Sequence, residues 1–158
     1  MKNKLSLILI LFFSIFVFSC GYKKIIEKND GTVAINEVKI NGDKRVGYII
    51  KNDIFLSSAT GSENLININL NIKKFKEVKN KNVSGKIEKY SIRLDANVEV
   101  TNVQRKSIFT RAFSTSTDYE VMSNHSDTIS NEKNAVEISA NQISEDIVRF
   151  INIYFQSK

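Results

Sequence analysis

The sequence predicts an α+β fold, a two-layer sandwich in which two helices cover a mostly antiparallel four-stranded sheet. Long segments in the middle of the chain alternate between apolar and polar residues, as strands with one buried face do. Two other segments space their apolar residues three and four positions apart, as amphipathic helices do. The order along the chain is β-α-β-β-β-α, and short links between the last three strands favour an antiparallel meander. Helices that cover the apolar face of this sheet complete the sandwich.

The chain opens with a segment that is typical of an export signal. Lys2 and Lys4 precede an apolar run over residues 5–18, which is shorter than the roughly 20 apolar residues that a membrane span needs. Residues 17–20, with the letters VFSC, then resemble a lipobox. In lipoproteins the cysteine of this motif receives the lipid, because a thiol is a strong nucleophile, and the leader is cut just before it. Cys20 is therefore the predicted lipidation site.

This motif divides the chain into a lipoprotein signal peptide over residues 1–19, a lipidated tether over residues 20–31 and a single folded domain over residues 32–158. Several acyl chains would anchor the protein stably, whereas one chain binds only marginally. In other lipoproteins an acidic residue after the lipidated cysteine favours retention at the inner membrane. This chain has Gly21 at that position, so by analogy the outer membrane is expected. The alternative is a buried free thiol beside a signal-anchor helix. Cys20 is the only cysteine, so no intrachain disulfide can form.

The domain is predicted to begin with a strand over residues 32–40. Its apolar residues up to Ile35 and those from Val38 onward fall on opposite parities. A β-bulge near Asn36 and Glu37 would bring them to one face of the strand.

A helix is predicted over residues 44–58. Asp43 is the expected N-cap, and Gly61 is expected to end the element. Gly47 argues against this helix, because glycine in a helix interior costs up to about 1 kcal/mol relative to alanine. The apolar residues at helical spacing are Val46, Ile49, Ile50, Ile54 and Phe55.

Three longer strands are predicted over residues 64–75, 90–103 and 107–121. Ser84 and Gly85 supply turn residues between the first two, and a short polar link joins the last two. In each strand one set of alternate residues is apolar. The other set is rich in Asn, Ser, Thr and charged residues, and the sheet face that it forms would be exposed or would contact a partner. The apolar residues are, strand by strand, Ile66, Ile68, Leu70 and Ile72; Tyr90, Ile92, Leu94, Ala96, Val98 and Val100; and Phe109, Phe113, Tyr119 and Val121.

The last helix is predicted over residues 131–155, after a polar loop over residues 122–130. Its apolar stripe follows steps of three and four. The stripe comprises Val136, Ala140, Ile143, Ile147, Ile151 and Tyr154.

The sequence contains no set of residues that is typical of a catalytic centre. His125 is the only histidine and falls in the predicted polar loop, where solvation is the simpler interpretation. Asp95 and Glu99 share one strand face, but nearby basic residues offer them ion pairs in place of acid–base chemistry. We therefore expect no enzyme activity, no metal and no cofactor, and an exported hydrolase is the weakest of the alternatives.

The formal net charge of +6 suits an acidic partner, although a lysine-rich surface that is merely solvated explains it equally well. Four basic residues lie on or between the third and fourth predicted strands: Arg93, Arg105, Lys106 and Arg111. Guanidinium and ammonium groups bind phosphates, so these four are the candidate ligand-binding residues. The alternative is a solvated polar face. Export disfavours a nucleic-acid partner.

The Cys20-Gly21-Tyr22-Lys23 start, the strand order and the closing amphipathic helix resemble the LptE family, the lipoprotein subunits of the outer-membrane lipopolysaccharide translocon. Residues 90–103, 107–119 and 143–155 carry most of the resemblance. Lys24 and Ile25 stand where many relatives have a proline.

Membership of the LptE family would imply a role in binding and assembly. Such a protein plugs and supports the LptD β-barrel, contacts lipopolysaccharide and stays on the periplasmic side of the outer membrane. Under this resemblance the four basic residues would meet the phosphates of lipid A. The competing interpretation is a small-ligand-binding or transport-associated lipoprotein of an unrelated family.

Overall fold

The computed structural model describes residues 33–59 and 62–156. Its four strands form one sheet in the order β1-β2-β3-β4, in which β1 is parallel to β2 and the other pairs are antiparallel. The predicted α+β fold and element order are confirmed. The signal peptide, the tether with Cys20, and Gly61 lie outside the described residues. The elements are β1 (Ala34–Gly42), α1 (Lys44–Leu56), β2 (Leu65–Lys81), β3 (Ile87–Asn102), β4 (Ile108–Glu120) and α2 (His125–Gln156).

The hydrophobic core lies between one face of the sheet and the two helices, and the alternation in β2 and β3 supplies most of the sheet's contribution to it. Branched aliphatic side chains dominate, which suits a close-packed layer between strands and helices. No helix among residues 33–59 and 62–156 is long and apolar enough to cross a membrane. The fully buried side chains include Val46, Ile50, Ile54, Ile66, Ile68, Leu70, Ile72, Ile92, Leu94, Val98, Ile143 and Ile147.

The predicted bulge in β1 is confirmed. Ile35 pairs with Ile66 and Glu37 with Asn67, so one residue of β1 is skipped between them. The shift of parity brings Val38 into the core at 6% exposure. The strand then continues two residues beyond its predicted end, to Gly42.

The helix α1 returns the chain so that β1 and β2 can pair in parallel. Its predicted N-cap is confirmed, because the backbone N–H of Val46 donates to Asp43 Oδ1 at 3.0 Å. Gly47 is a packing requirement rather than a weakness. A Cβ at this position would lie 2.3 Å from Cγ2 of Ile40, so glycine allows α1 to approach β1 closely.

The β2–β3 hairpin is longer than predicted. Residues 73–81 of β2 are all exposed, and the run of lysines there breaks the alternation that would mark a strand. The pairing with β3 continues nonetheless to Lys81 and Ile87. The predicted turn is confirmed, with Gly85 at φ +81° and the side-chain oxygen of Asn82 accepting from the backbone N–H of Ser84.

The helix α2 begins six residues before its predicted start, so the prediction of a loop at His125 is wrong. His125 is the exposed first residue of the helix. The Asn124 side chain accepts a hydrogen bond from the backbone N–H of Ser126 at 3.0 Å, and Asp127 lies in the first turn. Capping and a favourable dipole interaction stabilise this turn, which has no apolar residue to signal it.

Candidate functional site

Arg93 lies on the open face of the sheet, the face opposite the helices. Its guanidinium group forms ion pairs with Asp95 at 2.9 Å and Glu77 at 3.3 Å. It also stacks over the ring of Phe75, with Cζ 4.4 Å from the centroid. Arg93 is therefore engaged by two carboxylates and an aromatic ring within its own sheet.

Arg105 and Lys106 lie in the exposed turn between β3 and β4. The side chain of Asn102 shapes this turn, because its Oδ1 accepts from the backbone N–H groups of Gln104 at 3.0 Å and Arg105 at 2.7 Å. Lys106 adopts a left-handed backbone conformation at φ 51°. The turn thus projects two adjacent cations from one end of the sandwich.

Arg111 lies on the helix side of β4, since it shares the parity of Phe109 and Phe113. Its Cζ lies 4.5 Å from the ring centroid of Phe150 and 5.7 Å from that of Phe113. Thr117, also on this parity, accepts a hydrogen bond from Ser139 of α2, which fixes the direction of this face. Arg93 and Arg111 therefore lie on opposite faces of the sheet.

The structure accordingly brings together Arg105 and Lys106 but does not gather all four predicted basic residues into one site. It places a residue that the sequence analysis did not select, Arg149 of α2, beside Arg111 along the same groove. The signal for Arg111 was present in the sequence, in its shared parity with Phe109. Arg149 carried no such signal, because a helix–strand contact is not visible in local spacing.

The open face is polar and close to charge balance. Asparagine side chains cross-link its strands: Asn36 donates to Asn67 at 2.8 Å, and Asn41 donates to Asn69 at 2.7 Å. Such a surface offers hydrogen bonds rather than a strong electrostatic field. The charged side chains on this face are the cations Lys39, Lys73, Lys79, Lys89 and Arg93 and the anions Glu37, Glu77, Asp95, Glu99, Asp118 and Glu120.

In the candidate acid–base pair on this face, Asp95 is already engaged in hydrogen bonds. Asp95 accepts hydrogen bonds from Arg93 of its own strand at 2.9 Å and from the Ser114 hydroxyl of β4 at 2.7 Å, so both of its carboxylate oxygens have a donor. Within residues 33–59 and 62–156, no cluster of three or more His, Cys, Asp or Glu side chains has a geometry that could hold a metal ion.

Lys76, Tyr119 and Glu132 form a hydrogen-bonded cluster that joins the sheet to α2. The ammonium group of Lys76 donates to Glu132 Oε2 at 2.6 Å, and the hydroxyl of Tyr119 donates to the same oxygen at 2.9 Å. The hydrogen bond from Lys76, aided by that from Tyr119, lowers the pKa of Glu132 despite partial burial. The hydrogen bond to Glu132 raises the pKa of Lys76. Burial raises the pKa of Tyr119.

The cluster makes part of the stability depend on pH. A carboxylate with a depressed pKa stabilises the folded state above its unfolded pKa, about 4.3 for glutamate, and loses this contribution as the pH falls through the folded value. The raised pKa of Lys76 keeps the pair charged into alkaline solution. We expect Glu132→Gln to lower the free energy of unfolding at pH 7 by about 0.5–1 kcal/mol, the range of a partly exposed ion pair.

Urea unfolding at several pH values measures this effect. The gap between the wild type and Glu132→Gln should shrink as the pH falls below about 4. Glu137→Gln, an exposed substitution on the same helix, is the matched control and should change stability little. A gap for Glu132→Gln that stays constant at acid pH would contradict the ionic origin of the effect.

Among the surface cavities that adjoin α2, two are similar in volume. The first, of about 470 Å³, lies between the two helices and is lined by Val148 and otherwise by polar residues. In it the hydroxyl of Ser144 donates to Asp53 Oδ2 at 2.8 Å. The second, of about 510 Å³, is the groove between β4 and α2 that holds Arg111 and Arg149. Of these two, the second combines cations with aromatic walls, whereas the first has no aromatic side chain in its lining.

Comparison with known proteins gives a likeness in fold. No family model and no curated protein matches the chain. A candidate lipoprotein from Caulobacter crescentus superposes with a TM-score of 0.62 at 14% identity, covering 82% of this chain and 96% of that one. Rare lipoprotein B from Shewanella oneidensis has a TM-score of 0.55 at 10% identity and covers 73% of this chain and 93% of that one. An uncharacterised lipoprotein B from Nitrosomonas europaea has a TM-score of 0.56 at 10% identity and covers 80% of this chain and 88% of that one. This chain is therefore similar in fold to proteins that are named as lipoproteins.

Proposed function

We propose that this protein is an outer-membrane lipoprotein of the LptE family, a subunit of the lipopolysaccharide translocon that plugs a β-barrel partner and supports its assembly. The open face of the sheet carries this proposal. It is a wide, hydrogen-bonding, nearly charge-balanced surface, while the helices seal the apolar face. A rigid wedge with this polar side suits the polar lumen of a membrane barrel.

The proposed anchor is a lipid on Cys20, reached through the tether over residues 20–31. The lipobox-like residues 17–20 support this assignment, and the lipoprotein names of similarly folded proteins agree with it. Lipid on this residue would hold the domain at the periplasmic side of the outer membrane.

The proposed contacts to lipopolysaccharide are the four basic residues, and their settings differ. Arg105 and Lys106 project together from an exposed turn and are best placed to meet phosphates. Arg111 adds a cation beside aromatic rings. Arg93 would have to leave Asp95 and Glu77 in order to bind a ligand.

Co-purification from detergent-extracted outer membranes tests the role. The wild-type protein is expected to retain a large β-barrel protein through repeated washes. The variant Cys20→Ser should move the protein from the membrane to the soluble fraction, because the anchoring thiol is missing. A membrane-bound wild type that is recovered as a free monomer would contradict the plug and favour the alternative, a ligand-binding lipoprotein of an unrelated family.

Lipopolysaccharide binding is tested separately by charge reversal. Arg105→Glu with Lys106→Glu should weaken binding, since the two side chains would then repel phosphate. The conservative pair Arg105→Gln with Lys106→Gln controls for the loss of charge without repulsion. Unchanged binding by the reversed variant would remove these two residues from the proposed contact.

A further inference from the structure

The groove between β4 and α2 has the size and the lining of a ligand site. Its volume of about 510 Å³ falls within the roughly 300–1,000 Å³ that is usual for small-molecule sites. One wall is β4, and the other is the last three turns of α2. The side chains that matter below are Arg111, Phe113, Arg149, Phe150 and Ile153.

The walls are built from aromatic rings that pack against one another. Phe109 lies with its centroid 4.0 Å from that of Tyr154 and 5.5 Å from that of Phe150. Phe113 meets Phe150 edge-on at 6.0 Å. These contacts hold the rings in place without a ligand, so the groove is preformed. Beside them Ile153 is 58% exposed, which leaves apolar surface for a guest molecule.

Two guanidinium groups border this apolar surface. Arg111 stacks on Phe150 and forms no ion pair with a carboxylate among the described residues. Arg149 has one acidic neighbour on the same helix, Asp146, at 3.8 Å, and Asp146 also lines the groove. The side chain of Arg149 is 67% exposed. Such a long, exposed pair holds a cation weakly.

A comparison with Arg93 shows why Arg111 is available to a ligand. Both arginines lie over a phenylalanine ring, at 4.4 Å and 4.5 Å from the centroid. Arg93 is neutralised by Asp95 and Glu77, whereas Arg111 lies beside the rings of Phe113 and Phe150 and forms no ion pair among the described residues. The stacking therefore presents the guanidinium of Arg111 to an anion from outside.

We propose that this groove binds an anionic amphiphile, a single alkyl chain with a phosphate head. The chain lies against Phe113, Phe150 and Ile153, and the forks of Arg111 and Arg149 bind the phosphate. Arginine matches the geometry of phosphate with paired hydrogen bonds, and an apolar wall favours an aliphatic chain. The inference rests on the proposed function in one respect, since Arg111 is also a proposed contact to lipopolysaccharide. It goes beyond that function by assigning a single-chain ligand to this groove, which needs no barrel partner.

Titration of the purified mature protein with dodecyl phosphate, below its micelle concentration, tests the site. We expect binding that shifts the NMR signals of Phe113, Phe150 and Ile153. Inorganic phosphate lacks the chain, and dodecyl maltoside lacks the charge, so each should bind at least about tenfold more weakly. Equal binding of the neutral detergent would overturn the proposal, and so would shifts confined to another surface.

Variants assign the two arginines. Arg111→Gln and Arg149→Gln should each weaken dodecyl phosphate binding by about tenfold. Arg45→Gln, an exposed arginine on α1, is the matched control and should leave it unchanged. Should Arg111→Gln fail to fold, Arg111→Lys keeps the charge but loses the fork, and Arg149→Gln tests the second cation alone. Undiminished affinity in both Arg111 and Arg149 variants would show that Arg111 only covers Phe150. Dodecyl phosphate binding and barrel co-purification are separate measurements, so the groove proposal and the translocon proposal can each fail without the other.

Discussion

Gly42→Ala should destabilise the protein by roughly 2–5 kcal/mol, and urea unfolding of the purified variant measures the loss. Gly42 ends β1 at φ +84°, a left-handed conformation that costs a residue with a Cβ about 1–2 kcal/mol. The added Cβ would also lie 2.0 Å from the carbonyl oxygen of Ile72. This oxygen accepts from the N–H of Asp43 at 3.0 Å, so the backbone must shift at a hydrogen-bonded position, at a cost of about 1–3 kcal/mol.

Gly85→Ala is the matched control for this prediction. Gly85 has nearly the same φ, +81°, but an added Cβ would meet nothing within 4 Å. Its substitution therefore isolates the backbone cost of about 1–2 kcal/mol. Equal losses for the two variants would show that the close approach of Gly42 to Ile72 contributes nothing to stability.

Ile147→Ala is expected to cost about 2–5 kcal/mol of unfolding free energy. Ile147 is fully buried at 0% exposure on the face of α2 that packs against the sheet, so its truncation leaves a cavity in the core. With total stabilities of about 5–15 kcal/mol for domains of this kind, the variant would lose a large part of its stability.

Ile138→Ala makes the same chemical change on the same helix at a position that is 58% exposed. It should alter stability by about 0.5 kcal/mol or less, since no packed contact is lost and alanine favours the helix. The midpoints of urea unfolding compare the two variants. A similar loss at both positions would contradict the packing of α2 through its predicted apolar stripe.

The sequence was sufficient wherever one face of an element is buried. The alternation in β2 and β3 predicts their apolar face, and the change of parity near Asn36 and Glu37 predicts the bulge of β1. These features are local, because a side-chain period of two or 3.6 is visible without knowing the partner. The N-cap at Asp43 is local in the same sense.

The sequence was insufficient where pairing or capping acts without burial. Residues 73–81 are held by backbone pairing to β3 while both faces remain exposed, so no apolar period marks them. The first turn of α2 depends on the side chain of Asn124. The groove combines Arg111 with Arg149, and only the packing of α2 on β4 brings these two elements together.

The parallel pairing of β1 with β2 has a consequence for the folding pathway. The antiparallel strands β2, β3 and β4 are joined by short turns, so their pairing closes small loops at low entropic cost. β1 reaches β2 only after α1 has carried the chain back, and Ala34 meets Leu65 across that whole connection. Contacts between neighbours in sequence form faster than remote ones, so we expect the meander to form first and β1 to be added late.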